Sequence, residues 1–360
     1  MSRRVIAICI EVAGPDWMER WLAEGWMPNL AALRMSGGWT MLRSVADISS
    51  GSIWPSFTTG LMPARHGQFF THMQLESGSY RVVKKYADDL PGPPFWAALA
   101  RAGKKAAIID VPQTRPLAGF EGVHVMGWGG EYPAWPRSSH LPALMNDILA
   151  RFGPHPLAET RRIAKRPETL AECAQIKEDL LCGVRSKAGI SRFVLDQGPF
   201  DLFLTVFAEL HWAMHLLWDT LDPCHPEHDP ERARRYASTF RDVLAEIDGF
   251  VGEARASCPD ADILVFSLSG MGPNFSGWHL LPEVLKRLAV GPPDTGLART
   301  ASPLCRWGPH ALRRLDSMVP ARWIEAVKAA VPDRRWDRLT RRLDRSMMPY
   351  VLRSKRPLRS

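Results

Sequence analysis

The sequence lacks the features of an extracellular, membrane-bound or repetitive protein. Its six cysteines, Cys9, Cys173, Cys182, Cys224, Cys258 and Cys305, lie scattered with no CxxC spacing. That excludes a disulfide framework and a cysteine-built zinc module, and the thiols read as reduced and mostly buried. Nowhere do about 18 apolar residues run together, so no membrane span is expected. Ser2-Arg3-Arg4 and the run Val5 to Ile10 are cut short by Glu11, too early for a signal h-region, and the run reads as a strand. The expected location is therefore the cytoplasm. No internal repeat or low-complexity tract is visible, which removes the repeat architectures.

What is present is the composition of a globular protein. The chain has 360 residues, 46% of them hydrophobic, which suits one large or two ordinary domains and excludes disorder for most of the length. Lys and Arg number 46 against 38 Asp and Glu, a net charge of +8. The excess is confined to residues 299–360, where 16 basic residues face 5 acidic ones for a net +11, while the first 298 residues sum to −3. A basic tail with no nucleic-acid reading motif is ordinarily solvated surface, so nucleic acid is not an expected partner.

Apolar, β-rich runs at Val5–Ile10, Ala106–Val111, Leu202–Phe207 and Ile263–Ser267 are separated by stretches of helical period. The clearest helices are Trp17–Glu24, Leu30–Met35, Leu141–Arg151, Thr169–Leu195, His211–Thr220 and Glu231–Arg255. Alternating strands and helices predict an α/β fold with a mostly parallel central sheet covered by helices on both faces. Residues 1–290 are expected to form this domain, and 291–360 a basic segment that is partly helical or disordered. The aromatic, Pro/Gly-rich stretch Trp128 to Pro136 reads equally as a loop rimming a cleft or as a surface loop packed by its own tryptophans.

Ligands of open α/β sheets bind beyond the carboxyl ends of the strands, and polar groups gather there. Glu11 ends the first run, Glu209 and His211 follow Leu202–Phe207, and Ser267 and Ser269 follow the last. His211 and His215 are four residues apart and share one helix face, as metal ligands or phosphate contacts would. Ser50 precedes the helix predicted over Ile53–Thr59, where unpaired backbone N–H groups favour an anion; a plain N-cap is the ordinary alternative. His66 reads as fixing the loop behind that helix, and His225 and His228 as part of a polar loop.

These residues resemble the type I phosphodiesterase/nucleotide pyrophosphatase branch of the alkaline phosphatase superfamily. The resemblance rests on Val5–Glu11, Pro28-Asn29-Leu30-Ala31-Ala32-Leu33, Ser50, Thr59-Gly60 and Pro63-Ala64-Arg65-His66-Gly67, in order and at the family's spacing. A second block runs from Phe207 to Trp218, with Leu221-Asp222-Pro223 and Ser267 to Pro273 behind it. The resemblance covers residues 4 to about 290 and implies an alkaline-phosphatase-like fold. It further implies a small phosphoester substrate and two metal ions, usually zinc, that clamp a phosphoryl group while a Ser or Thr oxygen attacks in line.

Carried over residue by residue, the resemblance makes Ser50 the nucleophile and gives substrate contacts to Gly51, Ser52 and Ser269. It draws metal ligands from Glu11, Glu209, His211 and His215. Glu11 stands for the family's Asp, Ser50 for its commoner Thr, and His211 with His215 for its Asp-x-x-x-His. The Ser-Asp-His-Gly-Met element reads Ser267-Leu268-Ser269-Gly270-Met271, so both side chains expected at the nucleophile-side metal are missing. His279 and His310 are the candidates for a distant His ligand, and neither has the family's context. At most one well-formed divalent metal site, with zinc the expected ion, is therefore predicted. The family's C-terminal part is replaced here by the arginine-rich tail, so the fold is expected to be incomplete there. The alternative reading is a catalytically inactive or truncated family member acting as a binding protein. Composition and spacing leave the oligomeric state open.

Overall fold

The apolar runs become the interior of one sheet. The computed structural model describes residues 3–45, 50–69, 73–75, 78, 81–84, 90–114, 117, 119–129, 138–139, 141–157, 167–273, 280, 284, 287 and 288. In chain order the elements begin β1 (Arg4–Ile10), α1 (Pro15–Ala23), α2 (Pro28–Ser36), a 3-10 turn (Ser50–Ser52), α3 (Ile53–Thr59) and α4 (Pro63–His66). Next come β2 (Met73–Leu75), β3 (Val82–Lys84), α5 (Trp96–Arg101), β4 (Ala106–Ile109), β5 (Gly122–Met126) and β6 (Ser138–Ser139). The chain continues through α6 (Pro142–Phe152), α7 (Leu170–Leu195), β7 (Leu202–Phe207), α8 (Glu209–Leu221), α9 (Pro230–Tyr236), α10 (Ser238–Ser257) and β8 (Ala261–Phe266).

The sheet runs β6-β5-β4-β7-β1-β8. Its five longer strands are parallel, with Val5 registered against both Leu202 and Asp262. The two residues of β6 pair antiparallel at one edge. Strand periodicity divides the core as expected. Ile6, Ile8, Ile10, Ala107, Ile109, Phe203 and Phe207 face a large cluster shared with helices including α1, α7, α8 and α10. Their alternates Ala7, Cys9, Ala106, Ile108, Leu204 and Val206 face a smaller cluster with Trp54 of α3 and Trp96 of α5. Helices thus cover both faces, and β7 is buried along its whole length, which is why it reads as an unbroken apolar run.

Two local features position the site. The Pro-Asn-Leu element is the start of α2, and it is capped from another helix. Asp248 of α10 accepts the backbone N–H of Asn29 at 2.9 Å and of Leu30 at 2.8 Å, and the Asn29 side-chain amide at 3.0 Å. Gly252 keeps that contact possible, since a Cβ there would lie 2.7 Å from the Asn29 side chain. The second feature is α8, in which His211, His215 and Leu221 are the residues not buried. A helix enclosed on nearly every side opens to solvent chiefly at its two histidines.

Two parts of the sequence reading change. The helix expected over Glu231–Arg255 is two helices, broken at Ala237. There α9 is tied to the approach of α7 by Tyr236 Oη donating to Leu170 O at 2.8 Å and Arg232 to Pro167 O at 3.1 Å. Strands β5 and β6 and the β2–β3 hairpin carry too few consecutive apolar residues to stand out by period. Among the described residues no helix is long and apolar enough to cross a membrane. The chain divides into a unit Met1–Pro273 and a unit Asn274–Ser360. In the second, Leu288 N donates to Val284 O at 2.9 Å. Residues 130–136 of the aromatic loop, His279, His310 and the whole of 291–360 lie outside the described residues.

Candidate active site

Parallel strands bring their carboxyl ends to one edge of the sheet, and the polar residues that terminate them line up there. Glu11 follows β1, Asp110 follows β4, Glu209 opens α8 after β7, and Ser267 follows β8. Three non-glycine residues of this edge adopt the left-handed region: Val12 at φ 56°, Asp110 at 54° and Gln113 at 57°. Such backbone costs about 1 kcal/mol or more per residue and gathers at functional edges.

Glu11 is 6% exposed and joins the two helices that carry the candidate chemistry. Its Oε1 accepts the indole N–H of Trp54 at 2.8 Å, and its Oε2 lies 3.5 Å from His211 Nδ1. Trp54 belongs to α3, the helix that begins behind Ser50. His211 Nε2 in turn lies 3.0 Å from His215 Nε2, with the two rings stacked at 4.8 Å. The expected Glu11, His211 and His215 therefore meet, as a line of pairwise contacts. Among the described residues no group of three His, Cys, Asp or Glu side chains is arranged to hold a metal ion.

Ser50 is exposed at the head of the 3-10 turn, with Gly51 and Ser52 buried after it. The N-cap of α3 is Ser52, which makes no side-chain cap bond, so the Ser50 hydroxyl is not spent as that helix's cap. Behind the turn, His66 is buried. Its Nδ1 accepts the Gln68 N–H at 3.1 Å, which assigns the ring proton to Nε2, 2.9 Å from Ser56 Oγ. Burial lowers the His66 pKa from its ordinary 6.5, an effect partly offset by its hydrogen bond to the Ser52 backbone. The histidine thus braces the turn that carries Ser50.

The segment after β8 is built from backbone contacts. Ser267 Oγ accepts the Ala13 N–H at 3.1 Å and donates to Ser269 O at 2.8 Å, and Ser44 Oγ donates to Leu268 O at 2.6 Å. Gly270 lies against Gly14, where a Cβ would stand 2.9 Å from the Gly14 Cα. Leu268 packs on the apolar cluster of Cys9 and Trp54, and Ser269 is half-buried. Leu268 thus presents an apolar side chain, seated against the core, at this point of the strand edge.

Glu209 is fully buried, with Oε1 3.4 Å from His155 Nε2. Beside it Lys187 of α7, also fully buried, is ion-paired with Asp110. Asp110 further accepts the backbone N–H of Trp128 at 2.8 Å and of Gly129 at 2.9 Å. Asp110, His155 and Lys187 were not singled out from the sequence. Asp110 had a signal of the same kind as Glu11, an acid closing an apolar run; Lys187 had none, being one lysine in a long helix. His225 and His228 bond backbone groups of their own neighbourhood, the Glu227 N–H and Asp219 O, in keeping with a polar loop.

Residues 5–289 match the family model of type I phosphodiesterase / nucleotide pyrophosphatase. Among solved structures, the chain resembles phosphonoacetate hydrolase from Sinorhizobium meliloti 1021. With phosphonoformate bound, that enzyme is 20% identical at a TM-score of 0.47, covering 79% of this chain and 62% of the other. With phosphonoacetate bound it is 19% identical at 0.48, covering 80% and 62%. The chain thus spans 62% of the length of these structures. No curated protein matches it significantly.

Proposed function

The chain belongs to the type I phosphodiesterase / nucleotide pyrophosphatase family, and on that premise we propose that it is a phosphoester hydrolase whose nucleophile is the hydroxyl of Ser50. The observation that carries the proposal is the strand-edge arrangement: Ser50 stands exposed ahead of a helix whose Trp54 is bonded to Glu11, and Glu11 faces His211. In this reading the Ser50 oxygen, its proton passed to solvent, bonds to phosphorus in line as the bond from phosphorus to the ester oxygen breaks, and that oxygen leaves and takes up a proton as the alcohol. Water then cleaves the bond between phosphorus and the Ser50 oxygen, which frees the phosphomonoester and returns a proton to the serine. Gly51, Ser52 and Ser269 border the phosphoryl group, and His66 holds the turn rigid during both steps. In the same reading the protein is cytoplasmic and its substrate is a small phosphoester.

Three donors at this edge are of the type a metal ion takes, although they stand in a line and not around one centre. Glu11, His211 and His215 supply a carboxylate and two imidazoles, a set suited to zinc. Glu11 Oε2 is buried with no hydrogen bond, as befits an oxygen reserved for a cation. Ser267-Leu268-Ser269 offers no comparable set for a second. A bound ion supplies Lewis acidity toward a phosphoryl oxygen.

Turnover of an aryl phosphodiester by the Ser50→Ala variant is expected to fall by at least about a thousandfold with the fold intact by circular dichroism. Equal rates for the two proteins would overturn the nucleophile assignment. A second reading, a family member that binds without hydrolysing, is favoured by one observation: Leu268 sits in the apolar cluster where a ligand is expected. Metal analysis of the purified protein separates the two. About one zinc or manganese per chain, lost in the His211→Ala, His215→Ala double variant, supports the enzyme; no bound metal supports the binder.

A further inference from the structure

The buried ionisable groups beside the candidate site are not used in the chemistry above, and they form one assembly. Gly183 and Lys187 lie one turn apart on α7 and present the same face. Lys187 pairs with Asp110, which accepts the N–H groups of Trp128 and Gly129. The imidazole of His155 is wedged where side chains on Gly129 or Gly183 would stand 2.6 Å and 2.5 Å from it. Its Nδ1 accepts the Leu157 N–H at 3.1 Å, so the ring proton is on Nε2, which lies 3.4 Å from Glu209 Oε1 without a hydrogen bond between them. The Trp128 ring closes the group, with its centroid 5.1 Å from both Lys187 Nζ and the His155 ring. Trp212 of α8 lies 5.9 Å from His155 on another side.

Both oxygens of Glu209 are buried with no hydrogen bond. A carboxylate held that way, with one imidazole as its neighbour, calls for a role beyond packing. Glu209 is the first residue of α8 and stands two residues before His211, while Asp110 controls the chain that leaves β5. We propose that Asp110, Lys187, His155 and Glu209 are positioning residues: one buried array that locks the first turn of α8, and so His211, to the segment Trp128-Gly129. The inference rests on the hydrolase reading for its catalytic consequence. Its structural content stands apart from turnover.

The test is hydrogen exchange of the full chain in the Lys187→Met and Gly183→Ala variants, read in peptides that cover 128–129 and 208–212. Lys187→Met keeps the chain length and removes the charge; Gly183→Ala adds only the methyl group that strikes His155. Each variant is expected to speed exchange about tenfold in both peptides, the scale of a lost charge-assisted hydrogen bond. With an aryl phosphodiester, kcat is expected to fall about tenfold with KM changed less than about twofold, since the array sets the placement of His211 and does not touch the substrate. Loss of protection at 128–129 with 208–212 unchanged would overturn the single array, as would unchanged exchange in both. If the wild-type protein shows no turnover, the hydrolase reading fails while exchange still decides the array. Should Lys187→Met not fold, Gly183→Ala carries the same comparison.

Discussion

A single side chain here often does its work by accepting a backbone N–H. His66 is the example with a consequence for pH. Burial holds its pKa below the ordinary 6.5, so the folded protein prefers the neutral ring while the unfolded chain takes up a proton first. Between those two pKa values the unfolded state binds more protons, and stability falls as the pH drops through and below about 6.5. Above that value the His66 contribution is fully present and constant. Urea midpoints measured from about pH 8 down to about pH 5 should decline more steeply for the wild type than for His66→Gln, which does not titrate. Parallel curves would remove His66 as a source of the pH dependence. Leu268 shows the reverse situation, where side-chain type decides. No rearrangement lets an alkyl group bind a cation, and its place in the cluster of Cys9 and Trp54 gives it a packing role.

At the scale of elements, the helix starts carry the family's sequence signature. Pro28-Asn29-Leu30 is the N-terminus of α2, satisfied by Asp248 across the packed face of α10. Asp248→Ala leaves two backbone donors and an amide without their acceptor and should destabilise the protein by about 1–3 kcal/mol in urea titrations, with Asp248→Asn losing roughly half as much. An unchanged midpoint would mean that water replaces the carboxylate. The long helix α7 closes its own start by a capping box, Thr169 Oγ1 accepting the Glu172 N–H while the Glu172 carboxylate accepts the Thr169 N–H, a pattern readable in sequence. Helix α8 is legible in another way. Its length follows from period, and the shared face of half-buried His211 and exposed His215 follows from their spacing of four.

For the whole molecule, sheet order sets the hierarchy of stability. Strands β7 and β1 are central, flanked on both sides and covered on both faces, so their amides should exchange most slowly, while β6 and the β2–β3 pair exchange fastest. Slow exchange in the hairpin would contradict that order. The sequence by itself determined much: the apolar runs that became β1, β4, β7 and β8, the parallel α/β class and the family. Those properties are encoded locally, in periods of 2 and 3.6 and in acids that end apolar runs, because strand ends of a parallel sheet must share an edge. Only the tertiary structure decided the rest. Lys187 finds Asp110 across 77 residues, Glu209 turns to His155, and Ser267 is occupied by the Ala13 N–H and Ser269 O. A buried charge takes its partner from whichever element docks beside it, and docking depends on the packing of the whole core, which no local pattern contains.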